Sequence, residues 1–110
     1  MSRRFLGGVL AVLVAAAGGM SAEAGDRSVA GTIVAYECGD NCYLTIATAK
    51  GEELTGLCVA KACEPWNEVA EMPEKYVGKK VTVTLGMAKQ FDGSGNVMGE
   101  MDAFTAISFK

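Results

Sequence analysis

The stretch Cys42 to Ala60, CYLTIATAKGEELTGLCVA, decides the fold class of this chain. Apolar and polar side chains alternate from Tyr43 to Thr48, which is the period of a strand with one face in a core. Ala49 to Gly51 has the length of a three-residue hairpin loop, whose last residue takes the left-handed conformation that glycine tolerates. The stretch therefore predicts an antiparallel hairpin of two strands, with the second strand over Glu53–Ala60.

The rest of the chain after residue 24 adds three strands and one short helix. Strand-like patterns cover Ser28–Glu37, Lys80–Phe91 and Val97–Phe109. The last two of these are joined by Asp92–Asn96, DGSGN, which is a hairpin loop by composition. Glu64-Pro65-Trp66 begins a helix, because proline suits the first helical position, where its missing N–H would have no partner.

This order of elements predicts a mainly β fold. Five strands with one short helix between strands 3 and 4 is the order of the OB-fold, a small Greek-key barrel. The alternative is a sandwich or an SH3-like barrel with a helical insert. Without residues 1–24 the chain is short enough to form a single domain with a thin core.

The layout of glycines and apolar residues also resembles that of small periplasmic bacterial OB-fold proteins. The residues that carry the resemblance are Val29-x-Gly31-x-Ile33, Tyr43, Trp66 and Pro73…Val77-Gly78-Lys79…Val81-x-Val83. The likeness covers most of the chain after residue 24, and it implies a fold and an address rather than an activity. The chain departs from those proteins in its four cysteines, its longer helical segment and its Asp92–Asn96 loop.

Residues 1–24 have the three parts of a secretory signal peptide. Arg3 and Arg4 precede an apolar run from Phe5 to about Ala17, and Ala22-Glu-Ala24 supplies the small residues of a cleavage site. The apolar run is shorter than the ~20 residues that span a bilayer, so a membrane anchor is the less favoured alternative. We predict a signal peptide over 1–24, a single domain over 25–110, a periplasmic or secreted location, and no membrane span after cleavage.

Four cysteines follow the predicted cleavage site, and an even number in an oxidising compartment predicts two disulfides. They are Cys38, Cys42, Cys58 and Cys63. The three-residue hairpin loop sets a register in which Cys42 faces Cys58 across strands 2 and 3. This register favours Cys42–Cys58 with Cys38–Cys63, and the alternative is Cys38–Cys42 with Cys58–Cys63. A zinc site or a redox dithiol is disfavoured, because the spacings are not C-x2-C.

The composition argues against several classes of function. The chain has no histidine, which is the commonest general base and metal ligand, and it has none of the common catalytic motifs. We therefore predict that it is not an enzyme and needs no cofactor. Its net charge is −3, and an acidic exported protein is unsuited to nucleic acid.

Two sets of residues are candidate binding sites. Tyr36, Tyr43 and Trp66 are the aromatic residues nearest the strand 2–3 face, where OB-folds bind ligands. Tyr43 is expected to point outward, whereas Trp66 is also a candidate core residue. The second set is Asp92, Ser94 and Asn96, which alternate like the first half of an EF-hand calcium loop although the glycine and the final glutamate of that motif are missing.

These observations predict an exported, non-enzymatic binding module that recognises a protein, peptide or glycan of the cell envelope. The predicted contact surface is the strand 2–3 face with its adjacent loops. One alternative is a structural or stress-related envelope protein without a small ligand. Another is a metal-responsive protein that uses the Asp92–Asn96 loop or the thiols. The partner and the oligomeric state stay open at this point.

Overall fold

The computed structural model describes residues 27–110, and its elements follow the predicted order. The strands are β1 (Arg27–Cys38), β2 (Cys42–Thr48), β3 (Glu53–Cys58), β4 (Lys80–Phe91) and β5 (Val97–Phe109). Helix α1 (Glu64–Val69) follows a 3-10 turn over Lys61–Cys63 and precedes another over Glu74–Tyr76. The predicted signal peptide lies outside the described residues. Within 27–110 there is no helix of the length and hydropathy needed to span a bilayer.

The five strands form a closed barrel in the order β1-β2-β3-β5-β4, with β4 closing on β1. Neighbouring strands are antiparallel except β3 and β5, which run parallel along a short seam where Leu57 and Cys58 face Ala103 and Phe104. The connection through α1 carries the chain from β3 across one end of the barrel to β4. This is the OB-like Greek-key barrel that the order of elements predicts, with its one short helix between strands 3 and 4.

β1 pairs with β2 on one side and with β4 on the other, and a glycine lies where both ladders meet. Gly31 is in register with Thr48 of β2 and with Val81 of β4. A Cβ atom at Gly31 would lie 2.7 Å from the carbonyl oxygen of Ala47, which is closer than such contacts occur. The absence of a side chain therefore lets two backbones approach at this point.

The barrel is filled by the inward residues of all five strands. The largest fully buried side chains are Phe104, Ile33, Leu44, Ile46, Val81 and Val83. One mouth of the barrel is covered by α1, whose Trp66 packs edge-on against Tyr36 with the ring centroids 5.8 Å apart. Trp66 is 6% exposed, so the tryptophan is a core residue. Tyr76 and Phe109 complete this aromatic cluster at centroid distances of 4.9 and 6.5 Å from Trp66.

A bulge in β1 changes which residues of that strand face the core. Ile33 is in register with Ile46, but the next registered pair is Ala35 with Thr45, so Val34 is an extra residue. An uninterrupted alternation through Ile33 would place Tyr36 on the outer surface. The bulge turns Tyr36 inward, toward the covered mouth of the barrel.

The predicted β2–β3 register is confirmed, as Ile46 faces Leu54 and Tyr43 faces Leu57. The loop is also as expected, with Gly51 at φ 85°. The Thr48 N–H donates to the Glu52 carbonyl at 2.8 Å and thereby closes the hairpin.

The disulfide pairing that this register favoured is nevertheless wrong. The bonds are Cys38–Cys42 and Cys58–Cys63. β2 has a second neighbour, and the β1–β2 turn puts Cys38 opposite Cys42 with their Cα atoms 4.0 Å apart. The 3-10 turn after β3 brings Cys63 back to within 5.7 Å of Cys58, Cα to Cα. The β2–β3 ladder ends one position before Cys42 and Cys58, and each of these cysteines is bonded to the partner that is near it in the sequence.

Candidate functional site

The turn between β1 and β2 is joined to the β4–β5 hairpin, although the two are far apart in the sequence. The Asn41 side-chain amide donates to the Phe91 carbonyl at 2.7 Å, and the Phe91 N–H donates to Asn41 Oδ1 at 3.0 Å. These two bonds mimic one rung of a β-ladder. They hold together the two loops that border the ligand-binding face of an OB-fold.

A cleft of about 230 Å³ lies beside this junction, and we call it the disulfide cleft. Its lining residues are Asp40, Asn41, Cys42, Leu57, Cys58, Val59, Asn67, Lys89 and Phe91. Leu57 and Cys58 are buried, whereas Val59 and Phe91 are 47% and 40% exposed. Each disulfide contributes one cysteine to the lining. The cleft therefore offers apolar side chains on a covalently braced wall, with Asp40 and Lys89 as its charged groups.

Asn67 of α1 connects the disulfide cleft to the barrel. Its Nδ2 donates to the Cys58 carbonyl at 2.8 Å, and its Oδ1 accepts from the Tyr36 hydroxyl at 2.5 Å. Burial raises the pKa of Tyr36 above its ordinary value of 10.0, because the phenolate would lose solvation. One amide thus ties together β1, β3 and α1 at the back of the cleft.

The predicted aromatic residues do not form one site. Tyr43 lies half-buried on the outer face of β2, and its hydroxyl accepts a hydrogen bond from Gln90 Nε2 of the hairpin at 2.7 Å. Tyr36 of β1 and Trp66 of α1 instead pack against each other at the mouth of the barrel that α1 covers. Tyr43 supports the hairpin beside the cleft, and Tyr36 reaches the cleft through Asn67.

Sequence reasoning missed the exposed apolar residues of the cleft, Val59 and Phe91. Phe91 ends a predicted strand, where aromatic residues usually pack against their neighbours, so the sequence gives no sign of its exposure. Asn41 stands in a turn by composition, but nothing in the sequence identifies its partner fifty residues later. Long-range contacts of this kind leave no local pattern.

A larger depression, the helix groove, measures about 520 Å³ on the other side of α1. It is lined by Pro65, Trp66, Val69, Glu71, Pro73, Lys75 and Tyr76. Most of the Trp66 ring is engaged in the core, so the groove presents Val69, 68% exposed, as its most accessible apolar side chain. A third depression, of about 290 Å³, borders Gly31, Thr48 and Lys110.

The Asp92–Asn96 loop is closed by its own hydrogen bonds. Asp92 Oδ1 accepts from the N–H groups of Ser94 and Asn96 at 2.9 and 2.8 Å, and Oδ2 accepts from Asn96 Nδ2 at 3.1 Å. The bonds from Asn96 are the main reason why the pKa of Asp92 lies below its ordinary value of 3.8. In the part of the chain that the structure describes, no three acidic or cysteine side chains are grouped as metal ligands. Calcium binding here stays an untested alternative, and the loop geometry is explained without an ion.

Comparison of the chain with protein-family models, with curated proteins and with solved structures finds no match.

Proposed function

We propose that this domain is an exported, non-enzymatic binding module of the cell envelope, and that the disulfide cleft holds a short apolar segment of another protein. The observation that carries the proposal is the position of Val59 and Phe91. Both are exposed apolar side chains on the wall of one cleft, at the place where OB-folds bind ligands.

Rigidity of the cleft supports a binding role. Cys42 and Cys58 each belong to a disulfide, and Asn41 fixes Phe91 through two hydrogen bonds. A wall that is ordered before the ligand arrives loses little conformational entropy on binding. Two disulfides in so small a domain also suit an oxidising compartment, which agrees with the signal-like N-terminus.

The size and chemistry of the cleft favour a peptide over a glycan. Its volume of about 230 Å³ suits one or two side chains rather than a whole small molecule. Among its lining residues, Asp40 supplies an acceptor and Lys89 a donor for the amide and carbonyl groups of an extended main chain. Trp66 is buried and Tyr43 is engaged with Gln90, which leaves Phe91 as the exposed aromatic ring of the cleft, and Val59 in the same lining suits an apolar side chain better than a sugar.

Selection of random dodecapeptides displayed on phage against the purified domain tests this proposal. We expect enriched peptides to share an apolar residue, and to lose at least about tenfold in affinity when Val59→Asp places a charge in the cleft, which is ~1.4 kcal/mol. The matched control is Val69→Asp, which alters an exposed valine of the helix groove.

Two results would overturn the proposal. In one, the selected peptides bind Val59→Asp as well as the wild type but fail with Val69→Asp, which would move the site to the helix groove. In the other, no peptide is enriched from the library, as expected for a structural envelope protein without a ligand.

A further inference from the structure

Cys42 is positioned next to both disulfides. In the β1–β2 ladder it lies opposite Cys38, its bonded partner. The β2–β3 ladder ends with Tyr43 facing Leu57, and its register continued by one position places Cys42 opposite Cys58. Cys42 and Cys58 also line the same cleft. Cys42 therefore has two geometrically reasonable partners, and it is bonded to one of them.

The two disulfides differ in their access to solvent. Cys38 and Cys42 are half-buried at the β1–β2 turn. Cys58 and Cys63 are 1% and 0% exposed and belong to the hydrophobic core. Because thiol–disulfide exchange requires the attacking thiolate to reach a sulfur atom, an external thiol meets the first bond and not the second.

We propose that the two disulfides undergo internal exchange. Once the exposed Cys38–Cys42 bond is reduced, the Cys42 thiolate breaks the buried Cys58–Cys63 bond. A small or protein dithiol attacks the Cys38–Cys42 bond and is itself oxidised to a disulfide, which leaves thiols on Cys38 and Cys42. The Cys42 thiolate then attacks Sγ of Cys58. The Cys42–Cys58 bond forms as the Cys58–Cys63 bond breaks, and Cys63 leaves as a thiolate that takes up a proton.

The electron count of this sequence is balanced. The external dithiol loses two electrons, and the protein gains them as one disulfide fewer. The second step moves a bond without net oxidation or reduction. The product holds one bridge between β2 and β3, with Cys38 and Cys63 as free thiols.

The exchange would release the start of α1. Cys63 is the last residue of the 3-10 turn and the residue immediately before α1. α1 carries Trp66 of the core and Asn67, which bonds the Cys58 carbonyl. Exchange therefore couples an external reductant to the packing at the mouth of the barrel and to the back wall of the disulfide cleft.

A pair of single substitutions tests the proposal. In Cys38→Ser the thiol of Cys42 is free from the start, and exchange predicts a substantial share of the free thiol on Cys63. In the matched control Cys42→Ser the free thiol is Cys38, which is separated from β3 by β2, so Cys63 stays bonded to Cys58. The readout is alkylation in denaturant at mildly acidic pH, where thiolates are few, followed by peptide mass spectrometry.

The proposal fails if Cys38→Ser carries its free thiol on Cys42 alone, or if both variants label Cys63 equally. Limited reduction of the wild type by dithiothreitol gives a test that does not depend on a variant folding. The expected two-thiol species has Cys38 and Cys63 alkylated, together with a red-shifted emission from the single tryptophan, Trp66. Alkylation of Cys38 and Cys42 with unchanged emission would overturn the proposal.

Discussion

The inner half of β4 (Lys80–Leu85) and its outer half (Gly86–Phe91) have the same alternation of side chains, but they differ in burial. Val81, Val83 and Leu85 in the inner half are at most 9% exposed, whereas Met87 and Phe91 in the outer half are 56% and 40% exposed. Among residues 27–110, the inner half pairs with β1 and β5, and the outer half pairs only with β5. Alternation therefore gives the facing of a residue, but a third strand decides whether that face is buried.

The largest effect expected from this comparison is on stability within β4 itself. Leu85→Ala removes buried atoms from the barrel and should lower the free energy of unfolding by about 2–5 kcal/mol. Met87→Ala, two residues further along the strand, should change it by no more than about 0.5 kcal/mol. Urea unfolding midpoints compared at equal slope measure both values. Similar losses for the two variants would mean that the outer half is packed in solution.

The second-largest expected effect is the loss of stability when a methyl group is added to a glycine in the barrel, compared with a glycine in a loop. Gly31→Ala forces a methyl group toward the Ala47 carbonyl oxygen and should destabilise by about 1–3 kcal/mol through strain between β1 and β2. Gly39→Ala in the β1–β2 turn meets no atom of residues 27–110 within 4 Å and should be nearly neutral. Thermal midpoints under the same conditions give the comparison, and a neutral Gly31→Ala would contradict the close approach of the β1 and β2 backbones.

Removing one tyrosine hydroxyl at the barrel mouth and one at the hairpin compares how much each contributes to the free energy of unfolding. Tyr36→Phe leaves Asn67 Oδ1 without its donor and should cost about 0.5–1.5 kcal/mol. Tyr43→Phe removes the acceptor for Gln90 at the more exposed hairpin and should cost less.

Because burial raises the pKa of Tyr36 in the fold, the folded state keeps its proton when the unfolded state has lost it. Stability should therefore be complete below pH 10 and fall as the pH rises through the folded pKa. The part of this decline due to Tyr36 should be missing in Tyr36→Phe. A pH series of urea midpoints tests it, and an identical decline in the variant would contradict this assignment.

The smallest effect lies at the hairpin tip. Hydrogen bonds from Asn96 and Ser94 lower the pKa of Asp92, so its contribution is present above the ordinary value of 3.8 and is lost as the pH falls through the lowered pKa. The protection factors of the Ser94 and Asn96 amides, measured by hydrogen exchange and NMR, should fall there while those of Val81 and Val83 stay high. Asp92→Asn should remove most of the pH dependence at the tip, and an equal fall in the barrel would show that tip and barrel open together.

The local features of the fold were predictable from the sequence. β4 and β5 have the predicted bounds, Gly51 has the predicted conformation, and the β2–β3 register follows from the loop length. Each of these depends on neighbours in the chain or on a single turn. The alternation of apolar residues gave the inward faces of β2 and β4 for the same reason.

The candidate site was much less predictable. The bulge at Val34 reverses which residues of β1 face the core, and it turns Tyr36 inward. No glycine stands at this position to indicate the bulge in the sequence. The disulfides follow the β1–β2 turn and the 3-10 turn, which compete with the β2–β3 register that sequence reasoning relied on. The junction of Asn41 with Phe91 depends on the curvature of the whole barrel.

The outer half of β4 has a second consequence, for association between molecules. Between Leu85 and Phe91, and within the described residues, the side of β4 turned away from β5 has backbone N–H and C=O groups with no neighbouring strand, whereas those of Phe91 are bonded to Asn41. Such a margin invites another chain to add a strand, and charged side chains discourage it. Lys89 is exposed on this margin, and Glu100, which faces it on β5, is exposed as well, so charge at this position disfavours the addition of another strand.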